Sequence, residues 1–453
     1  THETLNAFTW GPDGWLYGCH GVFTHSRVGK PGTPDAERTP INAGFWRYHP
    51  TRHVFEVFAW GTSNSWGIDF DDRGRALATA CVIPHLFHVV QGARFERQAG
   101  SHFDPYCYDV IPTIADHRHW AGDEGPHGGN GRSDSAGGGH AHAGAMIYLG
   151  GRWPGRYRDR IFMNNIHGQR INMDVLEAEG AGLAGRHGPD FLLSNDTSSQ
   201  ILNLRYGPDG DVYFIDWYDD QACHTTDANV PDRSNGRIFK VVYDPAGKPA
   251  PAIDLAHASD ADLVGLQLHP NDFYVRHARR LLQERAPGPE VHAALEAIAL
   301  EHADPTRNLR GLWALHATGG LTAERTLRGL AHADPHVRGW TIQLACEDGS
   351  PGDDVLGAMA RMAREDPSPV VRLYLASALQ RLPLERRWAV LEGLVSHPED
   401  AADHDLPYMV WYASMDLPTA DRRKALALGT GSKIPLVRKN MLRRIAALGQ
   451  DGK

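Results

Sequence analysis

WGPDGWLYG, from Trp10 to Gly18, returns as YGPDGDVYF from Tyr206 to Phe214, and a weaker copy, FDDRGRALATA, runs from Phe70 to Ala80. Each copy puts an Asp-Gly or Arg-Gly turn ahead of a short alternating strand, the pattern of a hairpin repeated around a β-propeller or along a long β-sandwich. RWPGRYRDRIFM, from Arg152 to Met163, supplies another strand start. Spacings of roughly 50 to 60 residues suit four-stranded blades. About four such units fit before Pro245, whereas propellers close with about four to eight blades. The chain opens THETLNAF, inside what reads as a repeating unit. An upstream piece is therefore expected to be missing, leaving an incomplete ring with an exposed sheet edge of the kind natural proteins cover.

Beyond Ala250 the composition turns Ala-, Leu- and Arg-rich with helical spacing. DFYVRHARRLL at Asp272, DPTRNLRGLWAL at Asp304, DPHVRGWTIQLA at Asp334 and DPSPVVRLYLASAL at Asp366 each set Asp or Asp-Pro before an amphipathic helix; DLPYMVWYA at Asp405 and IPLVRKNMLRRI at Ile434 extend the series. The Asp is expected to cap the helix, Pro is tolerated in its first turn, and Val and Leu face a neighbouring helix. Arg276, Arg310, Arg338, Arg372 and Arg438 recur at intervals of about 28 to 34 residues or a double step, the period of a helical-pair solenoid. The expected architecture is multidomain β plus α: a β domain over residues 1–245, then an α-solenoid over 246–453 with a docking or structural role. The Asp-Pro-x-x-Val-Arg signature resembles HEAT repeats.

Bulk properties exclude several classes. A formal net charge of -9 over 453 residues argues against a nucleic-acid binder with a basic face. With no run of about 18 apolar residues, no membrane span is expected. The five cysteines, Cys19, Cys81, Cys107, Cys223 and Cys346, form no CxxC or CxxCH, which excludes a zinc ribbon or a c-type haem within this segment. Cys19 and Cys81 close similar strands, as a disulfide in an oxidising compartment or as two buried thiols.

Chemistry concentrates in HGGNGRSDSAGGGHAHAGAMIYLGGRWPGRYRDRIFMNNIHGQRIN, His127 to Asn172, where His127, His140, His142 and His167 sit among glycines. His140-Ala-His142 on an extended run directs both imidazoles to one side; with His127 or His167, and a carboxylate such as Asp134 or Asp196, they would make a metal site, and otherwise a hydrogen-bonded core. The His- and Gly-rich stretch 92–139 is too long for a simple connector and is expected to form an ordered lid. Asn164, Asn165, His167, Gln169 and Arg170 crowd one turn and suit sugar hydroxyls or a carboxylated cofactor, although Asn and Gly also serve tight turns. Asp216, Asp219, Asp220 and Asp232 form a second polar group that would hold calcium or simply sit solvated.

With these motifs in hand, the first 245 residues resemble the quinoprotein sugar dehydrogenase type of β-propeller. The whole chain is similar to the large propeller-plus-HEAT proteins of planctomycetes and their relatives described as membrane-bound dehydrogenases. The resemblance implies pyrroloquinoline quinone and calcium on the propeller axis and a histidine that takes a proton from a sugar hydroxyl. His2, ahead of Gly11-Pro12-Asp13, falls at that catalytic position. Asn64 falls in the segment that helps to hold the quinone, His167 where a lysine would contact it, and His142 and Arg170 around it. Gln200-Ile201-Leu202 stands where two arginines are expected, removing charge-assisted bonds to a tricarboxylate. The resemblance further implies an exported or periplasmic setting and a cytochrome c-type electron acceptor.

Three functional expectations follow. The first is oxidation of a sugar or related alcohol with His2 as base and Asn64, His142, His167, Arg170 and Gln200 at the cofactor. The second is a non-catalytic module that grips glycans or a protein partner, with the solenoid assembling a complex. The third is metal-dependent chemistry at His140 and His142 without a quinone.

Overall fold

Turn chemistry builds the first hairpins. Gly11-Pro12-Asp13-Gly14 joins strands Asn6–Trp10 and Leu16–His20, and Gly207-Pro208-Asp209-Gly210 joins Ile201–Tyr206 and Val212–Asp216. In each, the first Gly N–H donates across the turn (to Trp15 O at 2.8 Å, to Asp211 O at 2.9 Å), and the last Gly takes a left-handed φ of +83° or +77°. The Asp carboxylate then accepts from a Tyr hydroxyl four residues on: Tyr17 at 2.6 Å, Tyr213 at 2.8 Å. Asp71-Asp72-Arg73-Gly74 repeats the turn between Ser65–Phe70 and Ala76–Ala80, with Asp71 N donating to Arg75 O at 3.1 Å.

The computed structural model describes residues 4–81, 84–119, 141–219, 232–244, 247 and 252–449. Its first half is sheet-rich. One sheet runs Asn6–Trp10, Leu16–His20, Gly44–His49, Val54–Thr62 and, in parallel, Arg94–Arg97. A second runs Ser65–Phe70, Ala76–Ala80, Leu86–Val89; a third runs His142–Ile147, Arg160–Asn165, Arg170–Glu179, Gly182–His187; a fourth runs Ile201–Tyr206, Val212–Asp216, Arg237–Val241. The first strands of these sheets lie side by side. Gly67 is pressed so closely on Ala145 that a Cβ there would meet its backbone N at 2.3 Å, and Gly144, at φ +108°, sits against Asn203. Each first strand also shifts register near its start, between Asn6 and Thr9, Ser65 and Gly67, His142 and Ala145, and Leu202 and Leu204. Such bulges re-aim side chains at one end of a sheet.

Apolar seams join neighbouring sheets. Leu77 and Leu86 pack with Ala145, Ile147, Ile161 and Met163 between the second and third, and Phe162 and Ile171 pack with Ile201, Leu204 and Phe214 between the third and fourth. The edge strand Arg237–Val241 leaves Ile238 78% exposed. Part of the expected lid has structure of its own: Arg94–Arg97 is a strand, and residues 111–119 thread between sheets two and three. Cys19 and Cys81 are not joined; the Cys81 thiol donates to His142 O at 3.7 Å.

From Asp260 to Leu448 the chain is helical. Asp304 and Asp334 cap the helices Pro305–Ala317 and Pro335–Ala345 as expected, accepting from Thr306 N and from His336 and Val337 N. Asp272 does not: Asn271 caps Asp272–Arg285, and Asp272 lies inside the helix, paired with Arg276 at 2.6 Å. Four of the five repeated arginines divide into two uses, while Arg438 donates to Ser432 O. Arg338 and Arg372 bond the following Asp366 and Asp400, at 2.8 and 2.6 Å. Arg276 and Arg310 reach instead into the sheets, to Asp69 at 2.7 Å and Asp72 at 3.0 Å. Gln283 donates to Gly14 O, Trp340 to Arg73 O and Asn271 to Gly207 O, so the helices seat on the hairpin-turn end of the sheets. The opposite end, where the first strands begin, carries Asn64, His142 and Gln200. Among the described residues no helix is long and apolar enough to cross a membrane.

Candidate metal centre

The threading segment brings ligands to a place that strand patterning alone would leave apolar. Ile114 N donates to Leu86 O at 3.1 Å, Gly185 N to Ile114 O at 2.8 Å and Asp116 N to Gly185 O at 3.1 Å, so the segment bridges the second and third sheets. Beyond that bridge the backbone bends at Asp116, His117 and His119, and both imidazoles meet side chains of the third sheet. Asp174 meets them from the strand Arg170–Glu179, His187 from the end of Gly182–His187. His85 precedes Leu86–Val89, and His142 starts His142–Ile147.

The distances describe a cage. His117 Nε2 and His119 Nε2 are 3.0 Å apart, and His119 Nε2 and His187 Nδ1 are 3.1 Å apart. Asp174 Oδ1 lies 3.2 Å from His117 Nε2, 3.4 Å from His119 Nε2 and 3.7 Å from His187 Nδ1. Zinc–nitrogen bonds of about 2.0–2.1 Å imply a tetrahedron edge of about 3.3 Å, and these separations bracket it. Protons account poorly for the same contacts, because one proton can lie between two facing imidazole nitrogens and His119 Nε2 faces two others. Asp174 is fully buried, yet its Oδ1 has no hydrogen bond of acceptable geometry despite its imidazole neighbours. A buried carboxylate oxygen left in that condition is costly.

An outer set of contacts orients the cage. His117 Nδ1 is 2.9 Å from Asp116 Oδ1, and Arg186 holds Asp116 at 2.8 Å. His119 Nδ1 is 2.9 Å from His142 Nε2, and Asp174 Oδ2 is 3.2 Å from His85 Nε2. Partners of this kind fix ligand tautomer and ring angle. Burial works to raise the Asp174 carboxyl, but the imidazoles of His117, His119, His187 and His85 around it hold it well below the usual range, so it is anionic. Burial, then His85, pushes His119 down to about 3, leaving it neutral as a ligand must be. Burial lowers His117 too, but the Asp174 and Asp116 carboxylates outweigh it and the ring rises above its ordinary value. His187 is the most open member, its side chain 28% exposed. His85, His117, His119 and Asp174 also offer one ligand atom each within 4.8 Å of one another. Nitrogen and carboxylate donors at these spacings suit zinc and its first-row neighbours.

The residues nominated from sequence fall on both sides of this site. His142 is part of it, behind His119. Asn64 precedes the second sheet, where its Oδ1 accepts from Trp66 Nε1 at 2.7 Å. Arg170, buried at the start of its strand, is paired with Asp190 at 2.6 Å and donates to Gly168 O at 3.2 Å. Gln200 donates through its amide to Asp219 O. His167 is buried in the turn between Arg160–Asn165 and Arg170–Glu179. His2, His127, Asp134, His140 and Asp220 lie outside the described residues. A tricarboxylate quinone needs cations that are not already neutralised, and Arg170, the cation nominated for it, is spent on Asp190. The other described residues expected at that cofactor, Asn64, His142, His167 and Gln200, bring no guanidinium or ammonium in its place. His117, His119, Asp174 and His187 escaped nomination, although His117-Arg118-His119 repeats the spacing of His140-Ala-His142 and Asn172 and Asp174 interrupt the apolar alternation of their strand.

A family profile described as "Domain of unknown function (DUF7133)" matches residues 1–245. No curated protein matches this chain. Among solved structures, a Thermus thermophilus oxidoreductase described as a glucose dehydrogenase is similar at 15% identity and a TM-score of 0.32, covering 52% of this chain and 66% of its own. The PQQ-bound aldose sugar dehydrogenase of Streptomyces coelicolor matches at 15% identity and 0.30, covering 52% and 61%. The soluble apo-form aldose sugar dehydrogenase of Escherichia coli matches at 14% and 0.30, covering 48% and 60%. This chain thus spans less than two thirds of the length of these proteins, and overlaps so loose carry no residue-to-residue correspondence.

Proposed function

Because the chain belongs to the DUF7133 family, whose description assigns no activity, we propose its function from its own geometry: it is a metalloprotein that holds one divalent ion of the zinc class between two sheets. His117, His119, His187 and Asp174 are the ligands; Asp116, His142 and His85 orient them. The observation that carries this reading is the buried Asp174 Oδ1, faced by three imidazole nitrogens at 3.2 to 3.7 Å and hydrogen-bonded to none. With every corner of the tetrahedron supplied by protein, the ion is structural: it fastens the threading segment to the third sheet rather than keeping a position for substrate. The helices, read as HEAT repeats on a propeller of 1–245, serve as scaffold.

The test is metal content and affinity of the purified chain. After dialysis against metal-free buffer and reloading, about one zinc per chain is expected, with a Kd tighter than about 1 μM. Less than about 0.1 ion per chain with no heat of binding rejects the reading.

A second reading, oxidation of a sugar or related alcohol at the strand-start end, is favoured by the places of Asn64, His142 and Gln200 at the starts of first strands. Its quinone form requires Arg170 to leave Asp190. Dye reduction by the chain supplied with pyrroloquinoline quinone, calcium and a panel of sugars tests it, and no reduction by any of them rejects it.

A further inference from the structure

All four proposed ligands hang from two pieces of backbone, and both pieces are tied to the same short turn of the helical region. Asp174 and His187 occupy the two strands of one hairpin, Arg170–Glu179 and Gly182–His187. At its turn, Ala181 N donates to Asp403 Oδ2 at 2.7 Å. The approach is tight: a Cβ on Gly180 would meet Asp403 Oδ2 at 2.1 Å, and one on Gly182 would meet Asp405 Oδ2 at 2.5 Å. His117 and His119 occupy the threading segment, and its Thr113 carbonyl lies 3.2 Å from His404 Nε2. Thr113 Oγ1 donates to Leu86 O at 2.6 Å, which pins the same residue to the second sheet. His404 is held in turn by Asp405 at 2.7 Å, and Asp403 Oδ1 accepts from Asp405 N and Leu406 N, each at 2.9 Å. The turn is therefore braced by its own side chains.

Resting on the metal reading above, we propose that residues Asp403, His404 and Asp405 form a latch that positions the metal ligands from outside the site, so that ion binding and docking of this turn are coupled. The physical basis is geometric. From Thr113 to His117 the bent segment spans at most about 13 Å, and Asp174 lies on the same hairpin strand that ends at the Gly180 turn. A small rotation at the latch end changes the ligand separations, and a cage whose edges must lie near about 3.3 Å tolerates only a few tenths of an ångström. The coupling is reciprocal: an ion that fixes the ligand ends of both pieces reduces the freedom of their latch ends. His404 is a positioning residue; it touches no ligand.

The experiment uses the full chain. Zinc affinity is measured by competition with a chromophoric chelator for the wild type, for His404→Ala, and for Asp366→Asn, which breaks the Arg338 pair inside the helical region away from the latch. His404→Ala is expected to weaken zinc binding about tenfold, while Asp366→Asn leaves it within about twofold. Hydrogen exchange of the wild type gives a readout that needs no variant: zinc is expected to slow exchange at the Asp405 and Leu406 amides while leaving the amides of helix Pro335–Ala345 unchanged. Zinc binding by the wild type with no slowing at Asp405 and Leu406, or equal weakening by both substitutions, overturns the latch and leaves the metal reading standing. Failure of the wild type to bind zinc overturns the metal reading itself.

Discussion

Two of the places where this molecule buries carboxylates do so with opposite chemistry. At the seam between helices and sheets, Asp69, Asp72 and Asp272 are met by guanidinium groups: Arg276 on Asp69 and Asp272, Arg310 on Asp72, Arg158 on Asp72 at 2.5 Å. Between the second and third sheets, Asp174 is met by imidazoles alone. A guanidinium carries its charge at every pH and donates in a fixed fork, so these carboxylates already have their cations. Burial would raise Asp272, yet Arg276 and Arg310 hold it far below the ordinary carboxylate range. Imidazoles supply lone pairs as readily as protons, so a fully buried anion surrounded by them can share a metal ion with them. The seam is built to hold two regions together; the cluster is built to receive something.

The largest effect that sharpens this contrast comes from Asp174→Ala. Zinc binding is expected to fall at least about 100-fold, because the only anionic ligand is lost, and the rise in Tm that zinc gives the wild type is expected to vanish. A retained zinc-dependent rise would show that Asp174 is not a ligand. Arg276→Ala should do the reverse: it strands Asp69 in the seam and is expected to cost about 3–5 kcal/mol in chemical denaturation while leaving zinc affinity unchanged. Loss of zinc affinity there would erase the distinction between the regions.

How much of this is legible in the sequence follows from how local each signal is. The Gly-Pro-Asp-Gly turns and the Asp-Pro helix starts at Asp304 and Asp334 are decided within a few residues, and both form as read. Asp272 departs from its reading because Asn271, one residue earlier, has the same capping ability and the right backbone conformation, which frees Asp272 to pair with arginines. The metal cage is not legible because its ligands come from stretches near residues 117, 174 and 187, and the threading of 113–119 between two sheets decides that they meet. His142 stands out in the sequence for its spacing from His140; its position one step behind His119 depends on the same threading.

A smaller prediction concerns pH. Burial works to raise Asp405, but the imidazoles of His404 and then His88 prevail and lower it to about 2. A carboxyl depressed on folding stabilises the native state above its unfolded pKa of about 4, and that contribution is lost as pH falls toward about 2. Asp405→Asn is expected to remove about 2 kcal/mol of acid-side slope from the stability profile between those limits. An unchanged profile would mean that the turn at Asp405 carries no such linkage. The smallest effect belongs to the helix caps: Asp304→Ala, losing the bond to Thr306 N at 2.9 Å, should cost about 1 kcal/mol and leave zinc affinity unaltered.

Cobalt(II) titration followed by visible absorption reads the ligand set at Asp174 itself, since the band intensities report coordination geometry. Intense tetrahedral bands are expected that saturate at about one cobalt per chain, are displaced by zinc, and are absent in Asp174→Ala. Weak bands of a hydrated octahedral ion, or tetrahedral bands that persist in Asp174→Ala, would contradict that ligand set.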